Sequence, residues 1–285
     1  MIKDWIEEYK PVSHDEAEQA LREIMQEIAL AGLQRSGFFE KAAFYGGTAL
    51  RIFYALERFS EGLDFSLLEV NPDFSLQPYL DGMVKEFEAL GIQVSVKEKN
   101  KSKNTAIDSA FLKPGTEWKE LILKDIITTE KISMRPDIKI KIEVDTTPPL
   151  GFATEEKLLL RPFSFYTKCF TLQDLFAGKM HALLFRKWGT RVKGRDWFDM
   201  EWYIKNKIPL NLTHFAKRAR ESGDWKQDSI SPEDFIRLLH EKIDAVSFKN
   251  IREDIVKFIR DDKVIEIWSP DYFKELASRI KFHGL

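Results

Sequence analysis

Cysteine is almost missing from this sequence: Cys169 is the only one in 285 residues. No intramolecular disulfide can form, and no thiolate cluster can hold a metal. Nothing beside Cys169 reads as the surroundings of a nucleophile, so a plain packed thiol is expected. Surplus charge is missing too, with 44 Lys and Arg against 46 Asp and Glu. That near-balance excludes a strongly basic domain or tail, the footprint of sequence-independent nucleic-acid binding, while leaving room for a local basic groove. No apolar run approaches the roughly 18 residues that a membrane span needs. The start, Met1-Ile2-Lys3-Asp4-Trp5, carries charge where a signal peptide needs apolar residues. Internal repeats and low-complexity tracts are absent. A soluble cytoplasmic protein with no membrane partner is the expectation.

What is present is apolar and aromatic. Hydrophobic residues make up 44% of the chain, including 22 Phe and 7 Trp, enough for a sizeable core in one large domain or two ordinary ones. Ser13 suits an N-cap for a helix over 14–36, with Ala17, Leu21, Ile24, Ile28 and Leu33 along one face. A short apolar run, Ala42 to Tyr45, ends at Gly46-Gly47, and a helix is predicted over 48–58. Strand patterns occupy 63–67, 92–96, 118–127 and 163–170, with a helix over 75–90. The clearest strand runs from Ile138 to Asp145, where four aliphatic residues alternate with four charged ones. Past Thr171 only helical patterns remain, over 172–187, 196–205, 212–221, 232–246 and 270–280. Strands mixed with helices, then helices alone, predict an α+β domain over 1–170 and a helical C-terminal domain over 171–285.

Three groups of residues invite a chemical reading, and each also has a structural one. At Gly46-Gly47-Thr48 a strand gives way to a helix. Glycines let backbone N–H groups approach an anion, and the helix N-terminus adds partial positive charge, so the turn suits a phosphate. It also suits plain turn geometry. Glu143 and Asp145 share one strand face with Lys139 and Lys141, either as metal ligands or as the wet side of a sheet. Lys179 interrupts the apolar stripe of Leu172, Leu175, Phe176, Leu183 and Leu184. A cation facing a triphosphate or a carboxylate cluster explains this, and so does a lysine reaching out from the stripe's edge. His181, in the same turn, reads as structural. Arg195 and Asp199 stand at helical ion-pair spacing, with Asp196 in the first turn; Arg195 suits a phosphate and Asp199 suits Lys179, or both only lock two helices together.

Taken together these segments resemble the AbiEii/AbiGii nucleotidyltransferase toxins of the polymerase-β-like superfamily. The resemblance rests on Gly46-Gly47-Thr48-Ala49-Leu50-Arg51, then Arg58-Phe59-Ser60-Glu61 leading to Leu63-Asp64-Phe65. It continues through Lys141-Ile142-Glu143-Val144-Asp145 and Ala177-Gly178-Lys179-Met180-His181-Ala182-Leu183, and ends at Arg195-Asp196-Trp197-Phe198-Asp199. In family order these cover roughly residues 40–205.

The resemblance implies a mixed sheet with helices, followed by a mainly helical domain. It implies transfer of a nucleotide from an NTP to an acceptor, RNA and above all transfer RNA, by the toxin half of a toxin–antitoxin or phage-defence pair with a cognate antitoxin. Such enzymes hold Mg²⁺ or Mn²⁺ with two Asp at i and i+2 of one strand and a third acid on its neighbour. Asp64 fits the second position. Gly62 stands in the first, so one ligand is lost, and a catalytically lapsed relative that binds nucleotide or a protein without turnover is the rival expectation. Asp64, Glu143 and Asp145 are the implied metal ligands, one of the last two also serving as base. Gly46, Gly47, Thr48, Arg51, Ser60, Arg195 and Asp199 are the implied nucleotide contacts, and Lys179 joins Arg51 or Arg195 in neutralising phosphate charge.

Overall fold

The computed structural model describes residues 1–98, 116–124, 138–186 and 193–283. These fall into two compact units. The first takes its residues from Met1–Tyr54, Phe59–Leu150 and Thr154–Cys169, and the second from Ala55–Arg58, Gly151–Ala153 and Phe170 onward. The fold class is α+β. Among the described residues no helix is long and apolar enough to cross a membrane.

The first unit is built on a mixed sheet. Its strands are β1 (Ala42–Tyr45), β2 (Gly62–Leu67), β3 (Gln93–Glu98), β4 (Thr116–Lys124), β5 (Ile138–Asp145), β6 (Thr154–Leu159) and β7 (Phe165–Phe170). They lie in the order β3-β4-β5-β2-β1-β7-β6. β2 runs parallel to β5 and antiparallel to β1, and β1 runs parallel to β7. The alternation read in β5 is the one observed. Ile140, Ile142 and Val144 are fully buried in the core, while Lys139 and Lys141 on the opposite face are exposed.

Against the apolar face lies α2 (His14–Arg35), whose N-cap is Ser13, its side chain accepting from the Glu16 N–H. Ala17, Leu21, Ile24, Ile28 and Leu33 are all buried, as their spacing predicts. α4 (Gln77–Ala89) meets α2 backbone to backbone at Gly32, where an added Cβ would fall 2.5 Å from the Met83 Cα. The helix expected over 48–58 is instead α3 (Gly46–Tyr54). It stops because Ala55 turns left-handed, with φ 57°. The helix α1 (Ile2–Glu8) and strand β6 had no sequence signal: α1 is two turns long, and Thr-Glu-Glu-Lys-Leu-Leu lacks a clean period. The expected strand over 118–127 corresponds to β4, and 125–127 lie outside the described residues.

The second unit is mainly helical. Its helices are Leu172–Phe185, Gly194–Lys205, Leu212–Glu221, Pro232–Ala245, Phe248–Ile255 and Pro270–Ala277. Asn211, Ser231, Ser247 and Ser269 cap four of them through side-chain oxygens. Phe248–Ile255 escaped the sequence reading, as did a short parallel strand pair, Leu210–Asn211 with Phe282–His283, in a region read as helices alone; Lys187, at the end of the first expected helix, lies outside the described residues. Trp197, Phe248, Trp268 and Phe273 pack edge and face into one aromatic cluster.

His214 is the unit's oddity: 2% exposed, it leaves both ring nitrogens buried without a hydrogen-bond partner, beside Phe152 and Phe170. Burial first, then the charges of Arg218, Lys217 and His181, push the ring from its ordinary 6.5 down to about 3. The folded state thus refuses a proton that the unfolded chain accepts, so stability falls as pH drops from 6.5 toward 3 and is unaffected above 6.5. His214→Leu is expected to remove up to about 1.4 kcal/mol per pH unit of that fall. Urea melts of both proteins at neutral and mildly acidic pH check this, and an unchanged pH slope would count against it.

Candidate active site

β1 delivers the chain to Gly46, whose φ of 86° needs a residue without Cβ. The requirement is doubled by a neighbour: a Cβ there would fall 2.6 Å from the Asp64 Oδ2. The carboxylate of β2 is therefore packed against the turn that opens α3, where the helix dipole favours negative charge. Thr48 is fully buried, and its hydroxyl donates to the Gly62 carbonyl. This ties the first turn of α3 to the first residue of β2. The hydroxyl expected to cradle phosphate is thus engaged within the fold.

Strand register sets the rest of the face. Gly62 lies opposite Lys141, Asp64 opposite Glu143, and Ser66 opposite Asp145. Side chains two apart on a strand share a face, so Gly62, Asp64 and Ser66 stand beside Lys141, Glu143 and Asp145 on one side of the sheet. Asp64 and Glu143 are directly adjacent and partly exposed. Asp145 lies one pleat repeat further, about 6.6 Å along the strand. It is only 6% exposed and accepts from the Thr147 N–H. Glu143 is bound by the Lys141 ammonium at 2.7 Å.

Among the described residues no three His, Cys, Asp or Glu side chains form a group that could hold a metal ion. The expectation is that Asp64, Glu143 and Asp145 meet on one cation. Two acids adjoin, the third sinks toward the packed end of the face, and a lysine holds Glu143.

Arg51 points its charge elsewhere. Its Nε binds Glu23 of α2 at 2.8 Å, and its guanidinium lies over the Phe59 ring. Glu23 is 8% exposed and also accepts from the Tyr9 hydroxyl. The pair fastens α3 to α2, a role the sequence reading had not assigned. Ser60 offers its carbonyl to Gln26.

In the second unit Lys179 faces carboxylates, one of the two placements its position predicted. Its ammonium lies 2.8 Å from Asp199 and 2.9 Å from Asp196. Burial alone would lower its pKa, but the two aspartates outweigh burial and raise it. Burial likewise opposes the charge on Asp196, yet Lys179 and Arg186 hold its carboxyl below the ordinary value. Asp199 is fully buried and accepts two hydrogen bonds from Arg58, both 2.6 Å long. The pairing of Arg195 with Asp199 suggested by their spacing gives way to this. Asp199 turns to Arg58 and Lys179, while Arg195 lies over Phe258. Arg58 was legible only as part of a motif, because its partner stands 141 residues away.

The profile of one family, described as the nucleotidyl transferase AbiEii toxin of type IV toxin–antitoxin systems, matches residues 28–282. This chain belongs to that family. AbiEii proteins are thus its kin as nucleotidyltransferase toxins, and the mixed sheet followed by helices is the fold expected of them. Among solved structures the chain is similar to MenT4, a nucleotidyltransferase toxin of Mycobacterium tuberculosis, at 14% identity and a TM-score of 0.56, covering 98% of this chain and 87% of that one. That likeness concerns the fold. JHP933 from Helicobacter pylori is 16% identical, with a TM-score of 0.46 over 90% of this chain and 88% of the other. No curated protein matches the AbiEii chain.

Proposed function

We propose that this AbiEii protein transfers a nucleotide from an NTP to an RNA acceptor, transfer RNA foremost, as the toxin half of a toxin–antitoxin or phage-defence pair. The observation that carries the reading is the Asp64 carboxylate packed against the Gly46 turn at the head of α3, with Glu143 beside it in register. A helix N-terminus at glycines suits phosphate oxygens, and two adjacent acids suit a hard cation. The fit is partial, since Asp64 and Glu143 are two oxygen donors where Mg²⁺ or Mn²⁺ takes about six, the others coming from triphosphate and water. Such a cation, when bound, draws charge from phosphate oxygens.

The chain's own residues have separable tasks in this proposal. Gly46 and Gly47 give the triphosphate backbone N–H groups. Glu143, more exposed than Asp145, takes the proton from the attacking hydroxyl. Lys179, kept protonated by Asp196 and Asp199, and Arg195 belong to the helical unit and have no step in this proposal. A cognate antitoxin would be the protein partner, in the cytoplasm. One observation favours a second reading, nucleotide binding without turnover: Gly62 stands on the same face as Asp64 and brings no carboxylate.

One experiment separates the readings. Each NTP with Mg²⁺ is added to the wild type and to Asp64→Asn, melting is followed, and label transfer to bulk RNA is measured. A nucleotide present at about 100 times its Kd stabilises the native state by about 2.7 kcal/mol, a shift of roughly 5 °C or more. The expected result is such a shift with labelled RNA in the wild type, and loss of both in Asp64→Asn. A shift without label selects the second reading. No shift and no label with any NTP ends both.

A further inference from the structure

Gly62 and Lys141 face each other across neighbouring strands, and together they alter the charge of the candidate site in one direction. At position 62 a carboxylate is missing. In register with it, on the same face, stands a lysine whose ammonium is 2.7 Å from Glu143, the acid that adjoins Asp64. Room for a side chain at 62 is also short, because a Cβ there would fall 3.2 Å from the Lys141 carbonyl oxygen, tighter than ordinary contact. One end of the acidic face thus carries no negative group at position 62 and a positive one at position 141. The described residues accordingly hold no group of three acids that could take a metal.

We propose that Lys141 is a built-in cation: its ammonium offsets the charge of Glu143 and Asp64 where a site with two Asp on β2 would offset it with a divalent ion. The inference rests on reading this face as the transfer site, and it concerns the resting protein. A hard cation is attracted by uncompensated carboxylates and repelled by a nearby ammonium. With Lys141 in place the free protein holds Mn²⁺ weakly, and any divalent ion that works here is one that a triphosphate brings with it. Lys141 is 45% exposed on a flexible stem, so it can hold Glu143 and swing aside for a phosphate oxygen. An ordinary exposed ion pair on a strand contributes little and leaves metal affinity unchanged. The two ideas therefore differ in a measurable quantity.

The test is calorimetric titration of Mn²⁺ alone into the full-length wild type, Lys141→Gln, Lys141→Arg and Lys139→Gln, each checked for its melting curve. Lys139 is exposed on the same strand face two residues further from Glu143, so it controls for a general change in charge. Lys141→Gln is expected to bind Mn²⁺ about tenfold more tightly than wild type or better, the effect of removing one charge a few ångströms from the ion. Lys141→Arg keeps the cation and should behave as wild type, and Lys139→Gln should change affinity by less than about twofold. Equal affinities for Lys141→Gln and wild type overturn the proposal, as does an equal gain in Lys139→Gln. Label transfer by the wild type, run alongside, keeps the two questions apart. Transfer with no Mn²⁺ effect of Lys141→Gln removes the built-in cation and leaves the transferase. A Mn²⁺ effect with no transfer for any NTP leaves the charge balance and removes the transferase.

Discussion

Asp199→Ala is expected to lower the melting temperature by on the order of 10 °C, since breaking a buried ion pair costs about 3–5 kcal/mol and each kcal/mol is about 2–4 °C in a chain of this size. Asp199 is fully buried, and its oxygens serve Arg58 and Lys179 together. Removing it leaves a guanidinium that is 2% exposed with its bidentate partner gone. The remaining acid of the cluster, Asp196, already serves Lys179. Lys179→Met strands Asp196, which keeps only the nearby Arg186 charge, yet leaves Arg58 and Asp199 bound to each other, so its loss should be the smaller of the two. Melting curves of the three proteins check the order. If Lys179→Met proved as damaging as Asp199→Ala, the Arg58–Asp199 pair would not be the centre of this cluster.

The second large effect belongs to Gly46→Ala. A methyl group there meets the Asp64 carboxylate oxygen at 2.6 Å and imposes a left-handed backbone on a residue with a side chain. The left-handed conformation alone costs about 1–2 kcal/mol. Either Asp64 or the head of α3 must then move, and misplacing reacting groups by about 1 Å costs on the order of a hundredfold in rate. On the proposed activity, label transfer is therefore expected to fall by about that factor or more, together with the rise in melting temperature that NTP would give. Gly62→Ala is the comparison: its Cβ meets the Lys141 carbonyl oxygen at 3.2 Å and the Lys141 Cβ at an ordinary 3.8 Å, and its effect should be several times milder. Equal effects of the two substitutions would break the link between the Gly46 turn and Asp64.

Local rules made most of the architecture legible. The period of Ile138–Asp145 fixed both the strand and its faces, and Ser13 with the spacing of Ala17, Leu21, Ile24, Ile28 and Leu33 marked the longest helix. Asp64 and Glu143 were legible as well, because motif order placed them on strands and the parallel register then set them side by side. What stayed hidden depends on partners distant in sequence. No local pattern says that Arg51 turns to Glu23 or that Thr48 spends its hydroxyl on Gly62. At Arg195 and Asp199 the spacing left a choice, and Asp199 holds Lys179, one of its expected roles, together with Arg58, because a helical i,i+4 pair is weak beside a buried bidentate arginine. The burial of the third carboxylate was not legible for a simpler reason: sharing a face is a statement about direction, and Asp145 shares the direction of Glu143 but sits deeper.

The path of the chain has a consequence for how this protein can be taken apart or recombined. Ala55–Arg58 and Gly151–Ala153 belong to the helical unit although the sequence on both sides of each belongs to the sheet unit. A fragment beginning near residue 171 would lack Arg58 and the Ala153 N–H that Asp174 accepts, leaving two buried acids short of donors. No single cut yields either unit whole. Splicing the helical half onto another sheet by one crossover would therefore deliver an incomplete core.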